Sequence, residues 1–221
     1  MKKIILFLSV ILTSLLISSC GSSSSGGGSG NNPASPLIED MTFSAHYGRL
    51  FSVSSNGNQL ATGSESGNII FFEKNGDGYV QTANLNSHTI GIFSLTFIDE
   101  NTFVAGVADS TLKIWTKLGG VWSNTDNLTG HTGDVYSVAV IDENTLVSSS
   151  EDETLKIWTK TDGVWNNIDN MTSGTGEIFS VAVIDENTFF SGSNDGTLKI
   201  WTKSGEAWSN TDNLTGHSGA V

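Results

Sequence analysis

The stretch Thr154-Leu155-Lys156-Ile157-Trp158-Thr159-Lys160 decides how this chain is read. Its pattern returns at Thr111 to Lys117 and at Thr197 to Lys203, so Trp115, Trp158 and Trp201 stand 43 residues apart. A fixed period of this length marks a propeller, a solenoid or an array. Leu155, Ile157 and the ring of Trp158 are set off by Lys156, the two-residue rhythm of a strand. A helix needs spacings of three and four, which the stretch lacks.

Aligning outward from the tryptophans gives four units, beginning at His46, His88, His131 and Gly174, with a fifth opening at His217. Each predicts the same order of elements. A first strand runs through Phe51-Ser52-Val53, Phe93-Ser94-Leu95, Tyr136-Ser137-Val138 or Phe179-Ser180-Val181. In three units an Ile-Asp-Glu-Asn turn follows, led by Asp99, Asp142 or Asp185. A second strand spans Thr102 to Gly106, Thr145 to Ser149 or Thr188 to Gly192. A polar turn carrying Asp109, Asp152 or Asp195 leads to the Leu-Lys-Ile-Trp strand, and a Gly-containing turn leads to a fourth strand with Trp122, Trp165 or Trp208. Four short strands closed by Gly, Asn and Asp turns match a four-stranded antiparallel blade.

The N-terminus is different in kind. Met1-Lys2-Lys3 precedes an apolar run from Ile4 to Ile17, shorter than the roughly 20 residues of a membrane span. Residues 1–19 therefore read as a removed secretory signal. The ending Ile17-Ser18-Ser19-Cys20 resembles a bacterial lipobox, which implies a lipid on Cys20 and a place in the bacterial cell envelope. Cys20 is the one cysteine, so no disulfide forms within a chain. Residues 20–36 carry this cysteine and a Gly, Ser and Asn run with Pro33 and Pro36, which buries too little apolar surface to order and reads as a tether.

Residues 37–221 form the folded domain, long enough for one sizeable core. The net charge of −13 comes from 23 Asp and Glu, all in this part, against 10 Lys and Arg, two of which (Lys2 and Lys3) lie in the signal. Such acidity repels phosphate backbones and excludes nucleic acid as the expected partner.

The units resemble WD40 repeats, the blades of a β-propeller. The marks of that family fall on Gly130-His131, Ser148, Asp152 and Trp158 in the most complete unit, on His88, Asp109 and Trp115 in the second, and on Ser191, Asp195 and Trp201 in the fourth. The departures are Trp-Thr for Trp-Asp at Trp115, Trp158 and Trp201, Phe72 and Ser66 in the first unit, Ala105 in the second and Gly174 in the fourth. The resemblance implies an all-β WD40-like propeller with repeats at about 46–87, 88–130, 131–173 and 174–216 and a stub at 217–221. It also implies a network in which Asp152 accepts from the His131 ring, His131 reaches Ser148, and the Trp158 indole holds Ser148. Only the third unit carries all four members, so its turn is expected to be the best held.

No catalytic, cofactor or metal site is expected. The histidines and tryptophans fall in phase with the repeat, which is the pattern of structural residues. Histidines on neighbouring blades stand too far apart to share a zinc ion at about 2 Å. The Asp-Glu-Asn turns lack the one-three-five spacing of a calcium loop. The sequons at Asn127, Asn170 and Asn213 read as turn residues.

The expected function is a non-catalytic scaffold that binds other proteins through a propeller face, with carbohydrate binding by Trp122, Trp165 and Trp208 as the alternative. Candidates at the channel mouth are Arg49, Phe51, Phe93, Asp134, Tyr136, Glu177 and Phe179, since aromatic and Arg side chains anchor interfaces. Leu37 to Phe43 precedes His46 as an outer strand precedes each later unit. Four whole units with a fifth begun predict an incomplete ring, whose open blade edges favour self-association.

Overall fold

The computed structural model describes residue 46 and residues 48–85, 90–172, 174 and 176–221. Cys20, the tether, Leu37 to Phe43 and His88 lie outside the described residues.

Four antiparallel sheets of four strands make up the fold. The first is β1 (Leu50–Ser55), β2 (Gln59–Ser64), β3 (Ile69–Asn75) and β4 (Gly78–Leu85). The second is β5 (Ile92–Asp99), β6 (Thr102–Val107), β7 (Leu112–Leu118) and β8 (Val121–Leu128). The third is β9 (Val135–Asp142), β10 (Thr145–Ser150), β11 (Thr154–Thr161) and β12 (Val164–Thr172). The fourth is β13 (Ile178–Asp185), β14 (Thr188–Ser193), β15 (Leu198–Ser204) and β16 (Ala207–Leu214). Spatial order follows chain order in every sheet.

The turns follow from their residues. Asp99, Asp142 and Asp185 each accept the backbone N–H two positions on, from Asn101, Asn144 and Asn187, at 2.7 to 2.8 Å. An aspartate that closes its own turn in this way needs no cation.

The middle strands of the second and third sheets are covered on both faces, which is why β10 is buried at every position although it reads Thr-Leu-Val-Ser-Ser-Ser. One face of each blade packs on the opposite face of the next, giving three separate cores. The first unites Ile69 and Phe71 with Phe103, Trp115 and Trp122 of the second blade. The second unites Val104, Leu112, Ile114 and Leu128 with Leu146, Trp158 and Trp165. The third unites Val147, Leu155, Ile157 and Met171 with Phe189, Trp201 and Trp208. Each fully buried large side chain contributes about 1.5–3 kcal/mol.

Polar staples fix the spacing between inner strands. Ser52 Oγ accepts the N–H of Leu95 at 2.7 Å, Ser94 that of Val138 at 3.1 Å, and Ser137 that of Val181 at 3.3 Å. The second strand makes the closest approach. A Cβ on Gly106 would lie 2.9 Å from the Val135 carbonyl oxygen, and one on Gly192 would lie 2.7 Å from that of Val221. Val221 also donates to Ser193 O at 3.0 Å. Val221 thus meets the fourth blade where Val135 meets the second.

Consecutive inner strands pack together, β1 on β5, β5 on β9 and β9 on β13. Among the described residues no comparable packing joins the first sheet to the fourth, so the sheets are not closed into a ring. Single strands at the two ends carry exposed apolar residues. Leu50 and Val53 are 54 % exposed, whereas their counterparts Ile92 and Leu95 are 0 % and 5 %. Leu214 is 46 % exposed, against 5 % for Leu128.

Ser149 stands in the third blade where Gly63, Gly106 and Gly192 stand in the others, and its buried hydroxyl has no hydrogen-bond partner among the described residues. Gly106→Ala is expected to lower stability by about 1–3 kcal/mol through its clash with backbone. Ser149→Ala is expected to leave stability unchanged or raise it by about 1 kcal/mol, because an unsatisfied hydroxyl is lost. Urea unfolding of the two variants checks the pair, and a loss in Ser149→Ala as large as that in Gly106→Ala would contradict the packing described.

Candidate functional site

Two sets of residues gather where the inner strands begin. One is the turn network. His131 is buried, with Nδ1 2.8 Å from Asp152 Oδ2 and Nε2 2.8 Å from Ser148 Oγ. Trp158 Nε1–H donates to the same Ser148 oxygen at 2.8 Å. One assignment satisfies the set: Nδ1–H donates to Asp152, and Nε2 accepts from the Ser148 hydroxyl. Asp152 also accepts the Thr132 N–H at 2.9 Å and the Thr154 hydroxyl at 2.6 Å. Burial works to raise the Asp152 carboxyl, but the bonds from Thr154, Thr132 and His131 outweigh it and hold it down at about 2. Burial lowers the His131 pKa more than Asp152 raises it, so the ring is neutral at neutral pH.

The other units keep fragments of this network. In the first, His46 Nε2 lies 2.7 Å from Thr62 Oγ1, with Phe72 in place of the indole. In the second, Ala105 removes the hydroxyl, and Asp109 is held by Thr111 and by Lys113 at 2.9 Å. In the fourth, Trp201 donates to Ser191 at 2.9 Å while Asp195 turns to Thr197, since Gly174 supplies no ring.

The second set is a row of aromatic rings. The inner-strand register slips between Leu50 and Ser52, between Ile92 and Ser94, and between Ile178 and Ser180; in the third blade it slips between Val135 and Ser137. The residue left unpaired is Phe51, Phe93, Phe179 or Tyr136. A bulge re-aims the side chain it inserts, so the four rings leave the blade interfaces and meet one another. Phe51 and Phe93 stack with centroids 5.1 Å apart. Phe93 meets Tyr136 edge-on at 5.3 Å, and Tyr136 meets Phe179 at 5.4 Å. Phe51 is 38 % exposed and the other three rings are partly buried.

Two residues before each ring stand Arg49, Gly91, Asp134 and Glu177. The carbonyls of these four residues accept the N–H of Glu65, Ala108, Glu151 and Asn194 at 2.8 to 3.0 Å, which ties each mouth to the turn beside it. Asp134 N–H also donates to Glu151 Oε2 at 3.2 Å. Burial raises the Asp134 carboxyl, and the charges of Glu151 and Asp109 add to it. Burial, then Glu177, Glu151 and Asp134, push the Tyr136 phenol up to about 12.

The structure thus brings Phe51, Phe93, Tyr136 and Phe179 together with Asp134 and Glu177, and keeps the network residues apart as a support. Sequence reasoning missed the bulge, since no glycine or turn residue marks it, and it missed Glu151 as a member of the mouth. The rings of Trp122, Trp165 and Trp208 are only 6 to 8 % exposed and lie in the blade cores, beneath Lys117, Lys160 and Lys203 at 5.8 to 6.0 Å. The sequon asparagines are strand residues rather than turn residues. Asn127 and Asn213 accept from Lys113 and Lys199 at 3.4 and 3.2 Å, and Asn170 accepts from Lys156. Among the described residues no group of three or more His, Cys, Asp or Glu could hold a metal ion.

This geometry is that of a repeat protein built from propeller blades. The WD domain, G-beta repeat family matches residues 39–73, 79–116, 122–159 and 167–202, and the chain belongs to that family. The match over 79–116 starts in β4 and ends in β7, so the sequence repeat is offset by one strand from the sheet. No curated protein matches the chain significantly.

Asp152→Ala is expected to cost about 1–3 kcal/mol, more than Asp109→Ala, because buried partners lose their acceptor. Urea midpoints compare the two. The pH dependence has a definite sign. Asp152 titrates lower folded than unfolded, so its stabilisation is present above the unfolded value of 3.8 and is lost as pH falls toward about 2. His131 resists its proton when folded, so its contribution is lost as pH falls below 6.5. Thermal melts of the wild type should therefore drop on acidification below 6.5. The difference between wild type and Asp152→Asn should shrink as pH falls from 3.8 toward about 2.

Proposed function

We propose that the protein is a non-catalytic scaffold of a bacterial cell envelope, held by a lipid on Cys20, that binds other proteins through the aromatic row at the start of its inner strands. WD40 propellers are in general protein-interaction scaffolds. The observation that carries the reading here is the row itself, four bulged rings in unbroken succession at 5.1 to 5.4 Å with Phe51 left 38 % exposed. Rigid aromatic surface of this kind anchors protein interfaces. The carbohydrate alternative has less support, because the indole faces it needs are taken up by blade packing. Exposed Leu50 and Val53 on the first sheet and exposed Leu214 on the fourth favour self-association as a second partner mode.

A photo-crosslinking residue placed at Phe93 in cells is expected to give a discrete product with another protein, while the same residue at Glu206, on an outer hairpin, gives none. Products of equal yield at both positions would overturn the reading. Labelled fatty acid is expected to enter the wild type and not Cys20→Ala, and equal incorporation would remove the anchor. Sedimentation of the full chain is expected to show concentration-dependent association that Leu214→Glu weakens, and an unchanged monomer at all concentrations would remove the self-association.

A further inference from the structure

The aromatic row does not face a neutral surrounding. Position by position the mouth carries Arg49 on the first blade, Gly91 on the second, Asp134 on the third and Glu177 on the fourth, with Glu151 beside Asp134. Among the described residues the ion pairs are Lys113 with Asp109 and Lys117 with Glu73, while Asp152 is hydrogen-bonded to the neutral His131. Asp134, Glu151 and Glu177 take part in none of them. Their charges converge on Tyr136, whose hydroxyl each of them disfavours from ionising. The half of the row formed by Tyr136 and Phe179 is thus an aromatic surface bordered by carboxylates that pair with no cation among the described residues.

We propose that the mouth docks an extended, arginine-bearing segment of another protein, with guanidinium groups against the Tyr136 and Phe179 rings and in reach of Asp134, Glu151 and Glu177. The proposal rests on the reading of the row as a protein-binding face and specifies its partner. A guanidinium is attracted to the face of an aromatic ring. It is planar and stacks there, while its N–H groups remain free to pair with carboxylates two at a time. Lysine offers a compact charge with no flat face, so it fits the same place less well. The edge-on meeting of Phe93 and Tyr136, with 78° between their planes, and the tilt of 44° between Tyr136 and Phe179 prevent the rings from covering one another completely. A strand rises about 3.3 Å per residue, so alternate residues of an extended segment stand about 6.6 Å apart. That step exceeds the 5.3 and 5.4 Å between ring centroids by little more than about 1 Å, a difference that long arginine side chains on every second position can take up. The overall charge of −13 steers a cationic segment toward the molecule, and the row supplies the place where it stops.

The test uses the full chain in detergent and three fluorescein-labelled peptides of equal length, Arg-Ala-Arg-Ala-Arg, Lys-Ala-Lys-Ala-Lys and Gln-Ala-Gln-Ala-Gln, read by fluorescence anisotropy. The Arg peptide is expected to bind most tightly and the Gln peptide not to bind. Tyr136→Ser should weaken the Arg peptide about tenfold, the scale of a lost interface anchor. Tyr136→Phe should preserve binding, which separates loss of the ring from loss of the fold. The double variant Asp134→Asn with Glu177→Gln should weaken it comparably. Asp126→Asn with Asp212→Asn, an equal change of charge on the outer strands β8 and β16, should leave it unaltered. If the outer pair weakens binding as much as the inner pair, the attraction is diffuse and the proposal is overturned. If the Gln peptide binds as well as the Arg peptide, the face binds protein but the arginine assignment falls. If no Arg peptide binds, the arginine assignment falls as well, and the crosslink at Phe93 alone decides whether the row is a protein-binding face.

Discussion

A blade of this protein cannot bury itself. Its middle strands place large apolar groups on both faces, as with Val104 and Ile114 on one side of the second sheet and Phe103 and Trp115 on the other. An isolated sheet of four strands would leave both of these faces in water, at a cost of about 25 cal/mol for each Å² of apolar surface. Stability therefore lies in the joints between blades rather than within them, as in repeat proteins generally. The joint is built the same way three times. A face with Ile69 and Phe71, with Leu112 and Ile114, or with Leu155 and Ile157 meets a face with at least two large rings, and an inner-strand serine accepts one backbone N–H from the next blade.

The joint also explains the bulge. Ile92 and Leu95 both belong to the core shared with the first blade, although an odd separation in a regular strand would send them to opposite sides. Val135 and Val138 repeat the arrangement, as do Ile178 and Val181. Only an extra residue between them restores both to one face, and that residue is Phe93, Tyr136 or Phe179. The aromatic row is thus a consequence of core packing. Chain expelled from the ladder to satisfy the joint carries the rings that form the row.

This is also where the sequence stops being legible. The period, the four strands and the order of turns can be read from Trp115, Trp158 and Trp201 and the residues aligned to them, because strand alternation and turn chemistry are local. The network of His131, Ser148, Asp152 and Trp158 follows from the same alignment, and its geometry is present in full in the one unit that carries all four residues. The bulge is not local. Phe93 looks like any strand residue until the partner strand shows that Ile92 pairs with Val107 and Ser94 with Gly106. The role of the sequon asparagines was hidden for the same reason. Asn170 is matched across the sheet to Lys156, a partner fourteen residues back.

The division between constant and varied positions follows from these constraints. The residue that begins each joint is Ile92, Val135 or Ile178, always aliphatic and always fully buried, and a change there would open a cavity. The ring after it varies only between Phe and Tyr. Two residues before the ring stands Arg49, Gly91, Asp134 or Glu177 in chain order, a cation, a glycine and two carboxylates of different length at one backbone position. Packing places no demand on that position, because its tie to the neighbouring turn is made by the backbone carbonyl and any side chain can be carried there. Charge is therefore free to differ from blade to blade while the rings keep their spacing. The mouth runs from a cation beside Phe51 to carboxylates beside Tyr136 and Phe179, and this polarity gives an otherwise repetitive surface a direction. An extended chain laid along the row would meet a different charge at each end, so it could be held in one orientation and not the reverse.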